Sequence, residues 1–453
     1  MNRLIALLTF ATAIFILIFT FPDGNAAIVV ATILAAICIV LIRHFRPNES
    51  VLLTQLFVLS LLVRLVFGAF IHVFEYRNTL SGDSDTYHRA GRRLMESWFG
   101  IYDATDDRFL EHFSTAIGWG MSYLVAGIYS ITGPDILSAQ FFCAVLGAAT
   151  VPLVYVCVKN IFNNHRASLV SAVLVGFYPA FVIWTSQLLK DGLIVFLLVL
   201  AMTMILELRN KFSYGSAAVL VTSLFGIMSL RFYIFYMMSA AMVGAFLVGS
   251  GKSNQSIVRN IVVLVVVGLG LTYVGAIRNA NTEFTEYASL EKLQRARSGA
   301  AQSGSGFGQE IDVSTTEGAI SAIPVGFAYV MLAPFPWHFT NTTYLITLPD
   351  MIIWWASIPL MLIGLNFSIR QNLRRSLGIL IFSLMITLAY SLFQGNIGTA
   401  YRHRIQIQVF LFIFVGVGWT LILERRENKL ALKKAESQRL KNRLAGKPEE
   451  SAA

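Results

Sequence analysis

Two carboxylates two residues apart, Asp83 and Asp85, stand in the stretch GDSDTYHRAGRRL (Gly82–Leu94), with Arg89, Arg92 and Arg93 one or two helical turns further on. A carboxylate near low-dielectric surroundings and flanked by cations can stay ionised and act as a general base. In an extended segment or turn the same spacing could bring both groups to one hard cation, Mg or Mn. An Asp or Ser just before TYHRAGRRLMESW could also cap a helix start, a role compatible with catalysis. Further charges stand in apolar surroundings: Arg64 in LSLLVRLVFGAF, Lys190 and Asp191 in WTSQLLKDGLIVFLL, Arg231 in MSLRFYIFY, and Arg402, His403 and Arg404 in YRHR followed by an apolar run. An arginine deep in lipid is costly, so Arg64 either serves a function or pairs with a helix end. The other cations suit a lipid phosphate at a membrane interface, although each singly could merely anchor a helix end.

These residues must be held by membrane helices. The chain has 453 residues, of which 56% are hydrophobic and 13% charged, with a mean hydropathy of +0.66, outside the range of a soluble globular domain. Alternating strands of the porin kind are absent, so an all-α polytopic integral membrane protein is predicted. At about 20 apolar residues per span, twelve transmembrane helices are expected near 4–21, 26–43, 51–74, 135–158, 167–186, 190–208, 214–230, 232–250, 259–277, 348–367, 376–393 and 404–423. Residues 4–21 read as a retained first helix, because a second apolar run follows without a convincing cleavage site. Two further stretches broken by Gly or Pro, 116–132 and 318–338, are expected to be re-entrant or interfacial.

The positive-inside tendency then puts both termini in the cytoplasm and RHFR, KNIFNNHR, RNK and RQNLRR on the same side. It also accounts for the net charge of +10 without nucleic acid. The helical domain is expected over 1–423, with extracytoplasmic loops over 75–134, carrying the acid motif, and 278–347. The second loop holds the helical-looking TEFTEYASLEKLQRARS and then GAAQSGSGFG, which reads as a flexible hinge, either a disordered connector or a mobile lid. A basic cytoplasmic tail is expected over 424–453. The three cysteines show neither metal spacing nor a CxxC pair.

The motifs resemble those of the GT-C superfamily of polytopic glycosyltransferases, in particular bacterial relatives of protein mannosyltransferases and of aminoarabinose and Rgt-type transferases. GDSDTYHRAG is similar to the family's acid motif in the first large extracytoplasmic loop, with Asp83 at its first acid and Tyr87 four residues on. The run from GPDILSAQFFCAVLGAATVPLVY to the Lys190–Asp191 pair and YRHRIQIQVF near the C-terminus resemble further family landmarks. Ser84 stands where many relatives have Glu, Gln406 where Pro is usual, and two helices precede the one leading into the acid loop.

The resemblance implies a GT-C-like fold in a bacterial inner membrane. It implies inverting transfer of a sugar from a polyprenyl-phosphate-linked donor to a lipid, glycan or protein acceptor on the extracytoplasmic face. Asp83 would be the base, with Asp85 a substitute acid, and Tyr87 would position the loop. Lys190, Arg402 and Arg404 would steady the departing phosphate, with Arg231 a weaker member and Asp191 and His403 in the same substrate-binding group. No cofactor is required by this scheme, and a divalent cation at Asp83 and Asp85 stays possible. An O-antigen-type polymerase or ligase would instead place its essential residues in 278–317. A lipid or solute transporter would line a path with Arg64 and the interfacial cations, but internal symmetry between halves is not evident.

Overall fold

The computed structural model describes residues 3–77, 82–102, 107–108, 110, 112, 118–248, 254–277, 289–339 and 342–444. Parts of both expected loops (103–106, most of 109–117, and 278–288) and the tail end (445–453) lie outside the described residues. Among the described residues the chain is helical and holds no strand. In chain order the helices are α1 (Arg3–Phe19), α2 (Gly24–Phe45), α3 (Ser50–Val73), α4 (Asp83–Trp98), α5 (Gly120–Thr132), α6 (Ile136–Phe162), α7 (His165–Phe177), α8 (Pro179–Thr185), α9 (Lys190–Asn210), α10 (Tyr214–Leu230), α11 (Phe232–Leu247), α12 (Asn254–Tyr273), α13 (Leu290–Ala301), α14 (Thr316–Leu332), α15 (Leu348–Gln371), α16 (Leu373–Phe393), α17 (Ile397–His403) and α18 (Ile405–Leu444).

Seven of these, α2, α3, α6, α9, α15, α16 and α18, are long and apolar enough to cross a membrane, and the bent pair α7–α8 makes an eighth if counted as one span. The other expected spans correspond to shorter apolar helices: α1, α10, α11 and residues 257–273 of α12. Helix α5 has 13 residues, or about 20 Å at 1.5 Å per residue, against roughly 30 Å of hydrocarbon. It packs along α4 rather than standing alone. The 318–338 stretch forms α14, 17 residues long, against α16.

Helix α6 is the centre of the N-terminal half and touches α2, α3, α7 and α9; α18 does the same for the C-terminal half against α15, α7 and α9. Local chemistry sets the joints. The Asp135 carboxylate accepts from the Leu137 and Ser138 amides, both at 2.9 Å, and starts α6. Pro179 stops α7, because the residue before a proline is disfavoured in helix, and α8 leaves at 54°. That break would strand carbonyls inside the membrane, where each unpaired polar group costs several kcal/mol. Arg64 resolves this: its guanidinium donates to Gly176 O (2.8 Å), Val175 O (3.3 Å) and Thr185 Oγ1 (2.7 Å), and also to Ser60. Of the two roles open to Arg64, the structure gives it the helix-end one.

Candidate active site

Helix α4 buries Ser84, Tyr87, Ala90, Gly91, Leu94 and Met95, spaced three and four apart, so one stripe faces the bundle and the charged residues face outward. Gly91 lets α5 approach: a Cβ there would lie 2.3 Å from Val125 Cγ1. The start of α4 is tied down by Ser84, whose hydroxyl donates to Leu188 O at 3.1 Å. Since Leu188 lies two residues before α9, this bond sets Asp83 beside the first turn of α9, which carries Lys190 and Asp191. The N-cap position of α4 is Gly82, so neither Asp83 nor Asp85 holds it, and both sit favourably in the first turn.

Asp83 Oδ2 lies 2.6 Å from Arg402 Nη2, and Arg402 Nε donates to Asp191 Oδ2 at 2.5 Å. Arg402 therefore bridges two carboxylates from helices 108 positions apart in sequence. Asp191 is fully buried and its Oδ1 accepts from Arg231 Nη2 (2.8 Å) and Gln406 Nε2 (3.1 Å). Arg231 Nη2 also reaches His403 Nε2 at 2.7 Å, and Nη1 reaches Tyr233 Oη (3.2 Å) and Tyr390 Oη (3.3 Å). A guanidinium only donates, so His403 Nε2 must be an unprotonated acceptor. The Gln394 amide holds His403 Nδ1 from the other side at 2.7 Å.

Lys190 is half-buried in the same first turn as Asp191, and among the described residues it makes neither an ion pair nor a hydrogen bond. Counting Lys190, Arg231 and Arg402 against Asp83 and Asp191 leaves one positive charge in excess. The Asp83 side chain is 48% exposed whereas that of Arg402 is 13% exposed, so the carboxylate is the accessible end of the chain of charges. Tyr87 is buried on the same helix. Burial, reinforced by the negative charge of Asp83, pushes its phenol far above the usual range and keeps it neutral.

Thus Asp83, Tyr87, Lys190, Asp191, Arg231, Arg402 and His403 come together from four separate parts of the chain. Two expected members, Asp85 and Arg404, do not join them, and Arg64 lies apart. Asp85 turns to Arg77, 3.8 Å away; positions two apart on a helix do not share a face, so the pair does not offer two carboxylates to one ion. Arg404, likewise two positions from Arg402, is buried on backbone carbonyls instead, donating to Val330 O at 2.6 Å and to Ala333 O. Arg64 sits at the α7 break. Sequence reasoning did not count Tyr233, Tyr390, Gln394 or Gln406 among the site residues: neutral polar side chains do not stand out in apolar helices as charges do.

The late loop lies beside this cluster. Among the described residues it is folded: α13 is followed by Ser303–Phe307, whose Ser305 O and Phe307 N pair with Ile397 N (2.9 Å) and Gly395 O (2.8 Å). Gly306 is there for proximity, since a Cβ would lie 1.8 Å from Ala301 O. The GAAQSGSGFG segment is thus docked on the strand-like lead into α17, the helix that carries Arg402 and His403, rather than a free hinge.

Residues 119–276 match the model of the family described as dolichyl-phosphate-mannose-protein mannosyltransferase. The match is to that segment alone, about a third of the chain. The matched stretch carries Lys190, Asp191 and Arg231, whereas Asp83, Arg402 and His403 lie outside it. Two solved structures of an Archaeoglobus fulgidus oligosaccharyltransferase have related shapes. The apo form superposes with a TM-score of 0.49 at 14% identity, over 84% of this chain and 52% of that one. The complex of archaeal AglB with an inhibitory peptide and a dolichol-phosphate gives 0.44 at 14% identity, over 78% and 48%. The chain therefore spans about half the length of these structures. No curated protein sequence matches it.

Proposed function

We propose that this membrane protein is a glycosyltransferase that moves a sugar from a polyprenyl-phosphate-linked donor to an acceptor on the extracytoplasmic face, with Asp83 as general base. The observation that carries the reading is the chain Asp83–Arg402–Asp191–Arg231 with Lys190 beside it, unpaired among the described residues. A half-exposed carboxylate stands at the edge of a buried cluster with one positive charge to spare, which is what a phosphate leaving group and an incoming hydroxyl require.

In this scheme the donor phosphate docks against Lys190 and Arg402. Drawing Arg402 toward the phosphate loosens its hold on Asp83 and frees the carboxylate to accept a proton. The acceptor oxygen attacks the anomeric carbon and its proton passes to Asp83. The carbon–oxygen bond to phosphate breaks on the opposite face, with the bonding pair staying on phosphate, so the anomeric configuration inverts. Lys190 and Arg402 meet the growing negative charge, while Asp191 and Arg231 hold Arg402 in place. Ser84, where relatives carry Glu, has given its hydroxyl to Leu188 O, which leaves Asp83 as the acid that faces this cluster.

The test is the sugar composition of envelope glycolipids and glycoproteins, by mass spectrometry, in cells lacking the protein and complemented with wild type or Asp83→Asn at matched expression. One sugar lost on deletion and restored only by wild type supports the proposal. Full restoration by Asp83→Asn removes Asp83 as base. A polymerase or ligase is favoured by one feature, the docking of α13 and its following loop next to α17, and it would make that loop essential and Asp83 dispensable.

A further inference from the structure

Gln406 and Tyr390 close a hydrogen-bonded ring around Asp191. Arg231 Nη1 donates to Tyr390 Oη at 3.3 Å. Tyr390 Oη donates to Gln406 Oε1 at 2.5 Å. Gln406 Nε2 donates to Asp191 Oδ1 at 3.1 Å, and Arg231 Nη2 donates to the same oxygen at 2.8 Å. Every donor meets an acceptor: the guanidinium only donates, the phenol accepts once and donates once, and the amide uses each end once. All four side chains are buried, Gln406 and Tyr390 completely.

The ring has one geometric consequence. With Oδ1 held by two donors from one side, the carboxylate plane of Asp191 cannot turn, and Oδ2 is left facing Arg402 Nε at 2.5 Å. The other end of that guanidinium then points at Asp83, 2.6 Å away. Neither Gln406 nor Tyr390 touches Asp83 or Lys190 in any hydrogen bond, so their influence passes through Asp191 and Arg402.

We infer that Gln406 and Tyr390 are positioning residues that set the direction of Arg402, and through it the pairing of Asp83; the inference rests on the active-site reading above. Losing Gln406 removes one of the two donors on Asp191 Oδ1, and losing Tyr390 removes the group that fixes the Gln406 amide, so either opens the ring and loosens the hold that keeps Asp191 Oδ2 on Arg402. A hydrogen bond to a charged group is worth roughly tenfold in an equilibrium, so the clamped orientation of Arg402 should lose about that factor.

The experiment is arginine labelling of the full-length protein in detergent with phenylglyoxal, read per residue by peptide mass spectrometry, for wild type, Gln406→Met, Tyr390→Phe and the double variant. Arg404 and Arg64, both buried on backbone carbonyls elsewhere, are internal controls. The expected result is an Arg402 labelling rate raised about tenfold in each single variant, no further rise in the double variant because the ring is one coupled unit, and unchanged protection of Arg64 and Arg404. An Arg402 rate within twofold of wild type overturns the inference. So does a rise shared by all three arginines, which is general loosening rather than positioning. Tyr390→Phe keeps its volume and folds if Gln406→Met does not, so the question is decided either way. Because labelling needs no sugar donor, a positive result with an active Asp83→Asn would sink the base assignment while leaving the positioning role intact.

Discussion

Asp83 and Asp191 are both acidic and both bound to Arg402, yet the structure predicts opposite consequences for removing them. Asp191 is completely buried and receives Arg231, Arg402 and Gln406. Asp191→Asn leaves Arg231 without a counter-ion and Arg402 with only the half-exposed Asp83, and removing one partner of a buried pair costs about 3–5 kcal/mol. The excess charge of the cluster rises from one to two, with Lys190 as an added repulsive neighbour. Asp83 is 48% exposed and contacts the 13% exposed Arg402 at its outer edge; a partly solvated pair of this kind is worth about 0.2–1 kcal/mol. Asp83→Asn should therefore melt close to wild type while losing transfer, and Asp191→Asn should melt far lower. The assay is intrinsic-fluorescence thermal unfolding of both variants and wild type in the same detergent, beside the envelope sugar measurement. Equal destabilisation by the two substitutions, or an Asp191→Asn midpoint indistinguishable from wild type, would refute the argument that burial separates scaffold from chemistry.

Arg64→Met should destabilise strongly, because at the α7 break Val175 O loses the Arg64 donor and Gly176 O keeps only Ser60 Oγ at 3.4 Å, at about 1–3 kcal/mol for each buried group left unpaired; a melting midpoint equal to wild type would show that other groups satisfy them. Gly306→Val should undock the late loop from Gly395–Ile397, seen as new protease sensitivity between residues 299 and 311, and an unchanged digest would count against the packing account. His88 is bonded to Tyr129 Oη at 2.7 Å, and burial followed by the Arg77 cation holds its imidazole below the usual value of 6.5. A group with a depressed folded pKa adds stability that is complete above the unfolded value and is lost as pH falls through the folded one. Wild type should thus lose more thermal stability than His88→Asn between pH 7.5 and pH 5, and parallel curves would falsify the assignment.

Most of the charges that meet in this cluster were legible because ionisable residues are rare in apolar helices and expensive there. That argument picked out Asp83, Lys190, Asp191, Arg231, Arg402 and His403, and the adjacency of Lys190 and Asp191 at a helix start was visible as sequence. It could not separate Arg402 from Arg404. Both are arginines at one interface, and only the turn of the backbone between them sends one to Asp83 and the other to the carbonyls of α14. Nor could it decide Arg64, whose partners are the broken end of a helix more than a hundred residues away. The late loop was misleading for a related reason: glycines that permit a close approach and glycines that permit motion have the same composition.

Composition together with the absence of alternating strands determined that the chain is helical and membrane-embedded, since only helices and closed barrels satisfy their backbone groups in lipid. The periodicity of α4 determined which of its faces is buried. Only the tertiary structure decided which charges meet, because an ion pair in a bundle depends on the rotation and register of helices that are remote in sequence. The same holds for the neutral partners Tyr390 and Gln406. Their amide and phenol become significant through a buried carboxylate that their own segments do not contain.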